Sequence, residues 1–235
     1  MKKFSLNGIE VFPFASEEQI LDHIDKNKGI LVAINAEKTI KASDRLREII
    51  NLNIGYCDGM GAVKAALKKG YKDAIRIPGC ELWLKIIARH PSSSYYLIGS
   101  TDEVITATAE KLKKTFPDIN ITGFRNGFIK NAIEKEQLKN DIVNKKPDFV
   151  FVAMGSPRQE YLMEELQEVH QAVYQGLGGS FDLYVGNFKR APKLLQQINC
   201  EWLWRFAAQP ARINRIGPYI KFAYLLSVSY THLRA

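Results

Sequence analysis

Asp58 closes a short apolar run, 53–57, and is followed by Gly59-Met60-Gly61. A carboxylate at a strand end beside two glycines is placed to take the proton of an attacking hydroxyl. The same position suits a helix N-cap, where Asp is favoured, and spacing alone points to that plainer role. A second group follows the most apolar run, 149–154: Gly155-Ser156-Pro157-Arg158-Gln159-Glu160. Proline is favoured as a helix begins, and the free N–H groups there attract anions. Gln159 and Glu160 can hydrogen-bond a uracil or a ribose, although a well-capped helix with solvated polar residues explains the same letters. A third group is Gly176-Leu177-Gly178-Gly179-Ser180-Phe181-Asp182. Its glycines let the backbone turn tightly and approach a diphosphate. Phe181 stands where a Gly-x-Gly-x-x-Gly fingerprint needs its last glycine, so a dinucleotide site is not indicated.

A fourth group is basic and aromatic. Between Lys189 and Lys221 there are seven Lys and Arg and one acid, Glu201. Trp202, Trp204, Arg205, Arg212, Arg215, Tyr219 and Phe222 lie in or just beyond this stretch. Such a mixture suits a helix at an anionic lipid surface or a grip on phosphates. A charged helix face packed by its aromatics is the plainer alternative. Single-stranded nucleic acid would also suit it, but no nucleic-acid motif accompanies it. The chain has no Walker loop, no His-Glu-x-x-His and no Asp-x-Asp pair, and its 4 histidines are scattered. No metal site and no cofactor are expected.

The elements that must position these groups alternate. Strands are expected at 30–34, 53–57, 95–98, 119–122, 149–154 and 172–175. Helices are expected at 39–51, 60–69, 81–89, 102–116, 133–145 and from Pro157 to about His170. Strand–helix alternation implies parallel pairing through crossover helices. The expected fold is α/β, a Rossmann-like, doubly wound, mostly parallel sheet with a C-terminal helical appendage. Ligands of such sheets lie at the carboxyl ends of the strands. Here those ends carry Asn35, Asp58-Gly59, Gly99-Ser100, Gly155-Ser156 and the turn 176–180. The domain reading is a core over 1–190 and a basic-aromatic appendage over 191–235.

The bulk numbers agree. A chain of 235 residues, 46% hydrophobic and 25% charged, is that of a globular protein with one large domain. The formal charge of +8 indicates an anionic partner. Three dispersed cysteines (Cys57, Cys80 and Cys200) argue against a disulfide framework and for a reducing, cytoplasmic setting. No leader and no spanning segment are expected, so membrane contact would be peripheral.

Five segments, taken in order, resemble the WecG/TagA/CpsF glycosyltransferase family. They are Leu31–Lys38, Asp58–Gly61, Val152–Glu160, Gly176–Asp182, and Lys189-Arg190-Ala191-Pro192 leading into Glu201–Arg205, Gln209-Pro210 and Arg212–Arg215. The resemblance covers roughly residues 5–220. It implies an inverting, metal-independent transferase on a Rossmann-like core. The donor would be a UDP-sugar, N-acetylmannosamine or its uronic acid, and the acceptor a polyprenyl-diphosphate-linked sugar, commonly N-acetylglucosamine. It makes Asp58 the general base, sets Asn35 near the reacting sugars, and assigns catalytic roles to Arg205, Arg212 and Arg215. Gly155, Pro157, Gln159, Glu160, Gly176, Gly178, Gly179, Asp182 and Arg190 become substrate-binding residues, with Gln159 at the donor site. The appendage would fold over the active site onto the inner face of the cell membrane. Teichoic-acid members carry threonine where this chain has Ala33, which leans the reading toward the enterobacterial-common-antigen branch. The last seven residues, Ser229–Ala235, match no family segment and take no part in this reading.

Two other classes fit parts of the chain. Another nucleotide-sugar enzyme would need the missing nicotinamide fingerprint. A non-enzymatic module binding membrane or nucleic acid explains the charge but not the polar strand ends. A homo-oligomer is compatible with the sequence and not demanded by it.

Overall fold

The computed structural model describes residues 1–188, 191, 192, 204 and 216–231. The chain opens with an antiparallel hairpin, β1 (Phe4–Leu6) and β2 (Ile9–Val11). Helix α1 (Glu17–Lys26) follows, capped by Ser16, whose hydroxyl accepts the Gln19 N–H. Then come β3 (Gly29–Ile34), α2 (Ala36–Lys41), α3 (Asp44–Leu52), β4 (Ile54–Cys57), α4 (Met60–Lys68) and α5 (Gly79–Arg89). The next elements are β5 (Ser94–Gly99), α6 (Asp102–Thr115), β6 (Asn120–Arg125), α7 (Ala132–Lys145), β7 (Phe149–Ala153) and α8 (Arg158–Val169). β8 (Val173–Gly176), α9 (Ser180–Val185) and a C-terminal helix, Ile216–Thr231, complete the described elements.

Six strands form one sheet in the order β4-β3-β8-β7-β5-β6, and every pairing in it is parallel. Helices cover both faces, which is why the inner strands are apolar at nearly every position. β4, β7 and β8 are buried throughout, whereas the edge strand β6 has no fully buried residue. Side chains alternate between two cores. Ile30, Val32 and Ile34 of β3 join the core under α3 and α8, and Leu31 joins the other, under α1, α5 and α6. Trp83 is fully buried in the second core, edge-on to Phe151, Phe181 and Tyr184 with ring centroids 5.2–5.7 Å apart. This is the expected doubly wound, Rossmann-like α/β sheet.

Several expectations need correction. The helix expected at 39–51 is two helices, because Asn35 and Ser43 each cap a new start. Asn35 Oδ1 accepts the Lys38 N–H and Ser43 Oγ accepts the Leu46 N–H. A side chain that satisfies an orphan N–H in this way makes a boundary inside an otherwise helical stretch. β6 runs to Arg125, beyond the expected 122. The hairpin, α1 and the short α9 were not expected. The hairpin docks on β4, the Phe12 N–H donating to the Gly55 carbonyl at 2.8 Å.

The winding reverses between β5 and β7. From β5 the chain moves outward to β6, and from β7 it moves the other way to β8. A crevice opens at such a reversal, at the carboxyl ends of the strands.

Candidate active site

Asn35 and Asp58 follow the neighbouring strands β3 and β4, in register from Leu31↔Ile54 to Ile34↔Cys57. The N–H groups of Asp58 and Gly59 both donate to the Ile34 carbonyl at 3.1 Å, which pulls the second strand end over the first. The approach is so close that a Cβ on Gly59 would lie 3.1 Å from Asn35 Cβ. The sequence Asp-Gly is therefore what brings Asp58 beside Asn35. Asp58 Oδ1 accepts the Gly79 N–H at 2.9 Å, so the start of α5 anchors one carboxylate oxygen. No described residue donates to Oδ2. Asp58 is not the N-cap of α4; that position is Gly59. Arg76 donates through Nε to the Asp58 backbone carbonyl at 2.9 Å.

Tyr56 and Gln175 lie beneath Asp58. Gln175 Nε2 donates to Tyr56 Oη at 3.3 Å and to the Gly79 carbonyl at 3.2 Å, and both side chains are fully buried. They meet across β3, whose Ala33 stands opposite Tyr56 in the register. Burial first, and then the negative charge of Asp58, raises the Tyr56 phenol well above its usual value, so it stays protonated. The Cys57 thiol on the other face of β4 is pushed up to about 12 by the same two causes in the same order. It is a packing residue.

The second cluster lies at the ends of β5, β7 and β8. Gly155 (φ +77°) and Gly178 (φ +59°) take left-handed backbone conformations, and a Cβ on either, or on Gly179, would meet no described residue within 4 Å. Gly176 differs, because a Cβ there would fall 2.3 Å from Gln159 Nε2. Pro157 occupies the N-cap of α8 after a cis Ser156–Pro157 bond. Asp182 receives the Ser100 hydroxyl on Oδ2 at 2.8 Å and the Asn187 amide on Oδ1 at 3.2 Å, so it bridges from α9 to the end of β5. Gly127 packs here too, its N–H donating to the Ser100 carbonyl at 2.9 Å. Beside it Phe128 is exposed.

Gln159 and Glu160 are buried rather than open to a ligand, with 3% and 0% of their surface exposed. Gln159 Oε1 accepts the Gly178 N–H at 2.9 Å, and Glu160 pairs with Lys38 at 2.7 Å. Burial works to raise the Glu160 carboxyl. The Lys38 charge and hydrogen bond, with help from Gln159, outweigh it, and the group sits below its usual value, ionised.

Asn35, Asp58, Gly155, Pro157, Gln159, Glu160, Gly176, Gly178, Gly179 and Asp182 thus all fall on the carboxyl-end rim of one sheet. Arg190, Arg205, Arg212 and Arg215 lie outside the described residues. The C-terminal helix packs on α2 and α4, the two helices that start at Asn35 and after Asp58, with Phe222 buried against Gly61. Arg76, Lys38, Tyr56, Gln175 and Ser100 were missed as site residues. Ser100 was signalled by its strand end. Arg76 sits in an irregular loop and has no signal in spacing.

Residues 6–234 match the WecG/TagA/CpsF glycosyl transferase family, nearly the whole chain. The chain belongs to this family and is a glycosyltransferase.

Proposed function

We propose that this glycosyltransferase moves N-acetylmannosaminuronic acid, or N-acetylmannosamine, from UDP to a polyprenyl-diphosphate-linked N-acetylglucosamine for a surface polysaccharide. The observation that carries the mechanism is the placement of Asp58. One oxygen is anchored by the Gly79 N–H, no described residue donates to the other, and Asn35 stands alongside. A base needs such an arrangement: an oriented carboxylate with one oxygen free for the incoming proton.

In this reading the donor lies along the crevice at the β5/β7 reversal. Its diphosphate rests at the turns of Gly155 and of Gly178-Gly179, where no described residue crowds the backbone. Phe128 and Asp182 flank the nucleoside end, offering a ring face and a carboxylate. The acceptor hydroxyl enters over Asn35 and Asp58. Asp58 takes its proton as the oxygen attacks the anomeric carbon, the bond to UDP breaks, and configuration inverts in a single displacement. The charge developing on UDP requires cations. Arg76, bonded to the Asp58 backbone carbonyl, supplies one, and Arg205, Arg212 and Arg215 of the tail supply others once the appendage closes. No divalent metal takes part.

Among the described residues no helix is long and apolar enough to cross a membrane. The C-terminal helix nevertheless exposes Ile220 and Tyr224 on its outer side. Apolar and aromatic side chains on a basic segment suit peripheral docking on anionic lipid, at the inner face of the cell membrane where a lipid-linked acceptor is presented. Ala33 supports the uronic-acid donor within this reading.

The test is acceptor-dependent UDP release from a panel of UDP-sugars with a short-chain polyprenyl-diphosphate-N-acetylglucosamine. Release with the N-acetylmannosaminuronic acid donor alone supports the common-antigen type. Release with N-acetylmannosamine moves the assignment to the teichoic-acid type. Release with neither, from folded protein that binds UDP, overturns this donor and acceptor pair.

A further inference from the structure

The ion pair between Lys38 and Glu160 joins three parts of the rim. Lys38 lies on α2, the helix capped by Asn35, and Glu160 lies on α8, after the Gly155 turn. Strand β8 runs between their parent strands β3 and β7. The lysine and glutamate side chains are only 8% and 0% exposed. Glu160 Oε1 accepts both Lys38 Nζ at 2.7 Å and Gln159 Nε2 at 3.1 Å. Gln159 Oε1 then accepts the Gly178 N–H at 2.9 Å. One line of hydrogen bonds therefore runs from α2 to the glycine turn.

Substrate cannot reach a carboxylate with no exposed surface. As a source of stability the pair has no advantage over well-packed apolar side chains, because desolvation offsets the attraction. Its particular property is direction. An ionised carboxylate only accepts, so it must face the amide NH2 of Gln159 and leaves the amide oxygen for Gly178. A flipped amide would set oxygen against oxygen at Glu160 and donor against donor at Gly178. The absence of a side chain on Gly176 makes room for this amide.

We propose that Lys38 and Glu160 are positioning residues for the donor diphosphate, which fix the Gln159 amide and through it the Gly178 turn without touching substrate. The proposal rests on the reading of that turn as the diphosphate site. Lys38 is the charged group set against Glu160 among the described residues, and it keeps Glu160 ionised. Without it, burial favours the neutral acid, which can present either a hydroxyl or a carbonyl to Gln159. The direction of the amide is then no longer dictated.

The experiment uses the full chain with Lys38→Met, Lys38→Arg and the double variant Lys38→Met/Glu160→Gln. Two quantities are read: amide proton exchange at Gly178 by NMR, and UDP affinity by calorimetry between pH 6 and pH 8.5. Lys38→Met is expected to speed exchange at Gly178 and to weaken UDP about tenfold, with the loss shrinking as pH rises and Glu160 ionises, because a carboxylate again dictates the direction of the amide. Lys38→Arg should restore both, and the double variant should lose the pH dependence. A folded Lys38→Met protein with unchanged Gly178 exchange and unchanged UDP affinity overturns the proposal. If Lys38→Met does not fold, a folded double variant with wild-type Gly178 exchange and UDP affinity overturns it equally. Wild-type protein that binds no UDP removes the donor reading instead, and exchange at Gly178 still decides whether Lys38 holds the turn.

Discussion

Phe222 presses its ring onto Gly61, so closely that a Cβ there would fall 2.4 Å from Phe222 Cε1. Gly61 lies three residues beyond Asp58, in the first turn of α4. Lys68 at the other end of α4 donates to the Leu226 carbonyl at 2.8 Å. The C-terminal helix is thus seated at both ends of the helix that follows the proposed base, and one of the two contacts requires a glycine.

Gly61→Ala should unseat this helix without unfolding the core. Overpacking of this kind costs about 1–3 kcal/mol, which falls on the Phe222 contact and not on the sheet. The expected outcome is faster proteolytic loss of the C-terminal segment and reduced transfer to a lipid-linked acceptor. Gly61→Ala/Phe222→Ala should recover part of the protection. Unchanged proteolysis and activity in Gly61→Ala would show that the seat does not hold the helix.

Asp58→Asn keeps an acceptor oxygen for the Gly79 N–H and removes only the basicity. The thermal midpoint should stay close to wild type while turnover drops on the order of 10²-fold or more. A fully active, folded variant would take Asp58 out of the mechanism.

The proposed mechanism places all charge stabilisation on protein cations. Dialysis against EDTA should therefore leave acceptor-dependent UDP release unchanged. Activity lost with EDTA and regained with Mg²⁺ would contradict it.

The sheet and the rim could be read from the chain because each depends on local pattern. The β-branched runs 30–34 and 149–154 fill both cores, and the residues that break them, Asn35, Asp58, Gly155 and Gly176, must then stand at strand ends. The supporting contacts could not be read this way. Lys38 reaches Glu160 across 122 positions and Tyr56 meets Gln175 across 119, and no periodicity encodes a meeting that only sheet order creates. Gln159 and Glu160 show the consequence. The sequence offers them to a uracil or a ribose, whereas in the fold both are buried, Gln159 against Gly178 and Glu160 against Lys38.

His23 lies against Phe12 and Phe14, ring centroids 4.8 and 5.6 Å away. Burial, then the Met1 amino group and Lys3, lower its pKa below the ordinary 6.5. With the folded value depressed, the unfolded chain binds the proton first as pH falls. This contribution is intact above pH 6.5 and is lost progressively below it. The thermal midpoint should decline between pH 7.5 and 5.5, and His23→Gln should flatten that decline. Parallel profiles for the two proteins would exclude His23 as the cause.

Tyr56→Phe tests whether the support under Asp58 matters to the chemistry. The phenol is fully buried and fills the space in front of Gly79, where a Cβ would lie 2.7 Å from Oη. Phenylalanine preserves the ring packing and removes the oxygen that accepts Gln175 Nε2. Gln175 retains the Gly79 carbonyl, so the loss of stability should be small, about 1 kcal/mol. Gly79 would lose the Tyr56 hydroxyl packed against it, and its N–H anchors Asp58 Oδ1. Small displacements of a base are costly because proton transfer depends steeply on geometry. The expected result is a fall in kcat of about tenfold with the donor KM unchanged. A rise in donor KM at constant kcat would instead place Tyr56 in donor binding, and unchanged kinetics would show that Gly79 holds Asp58 without it.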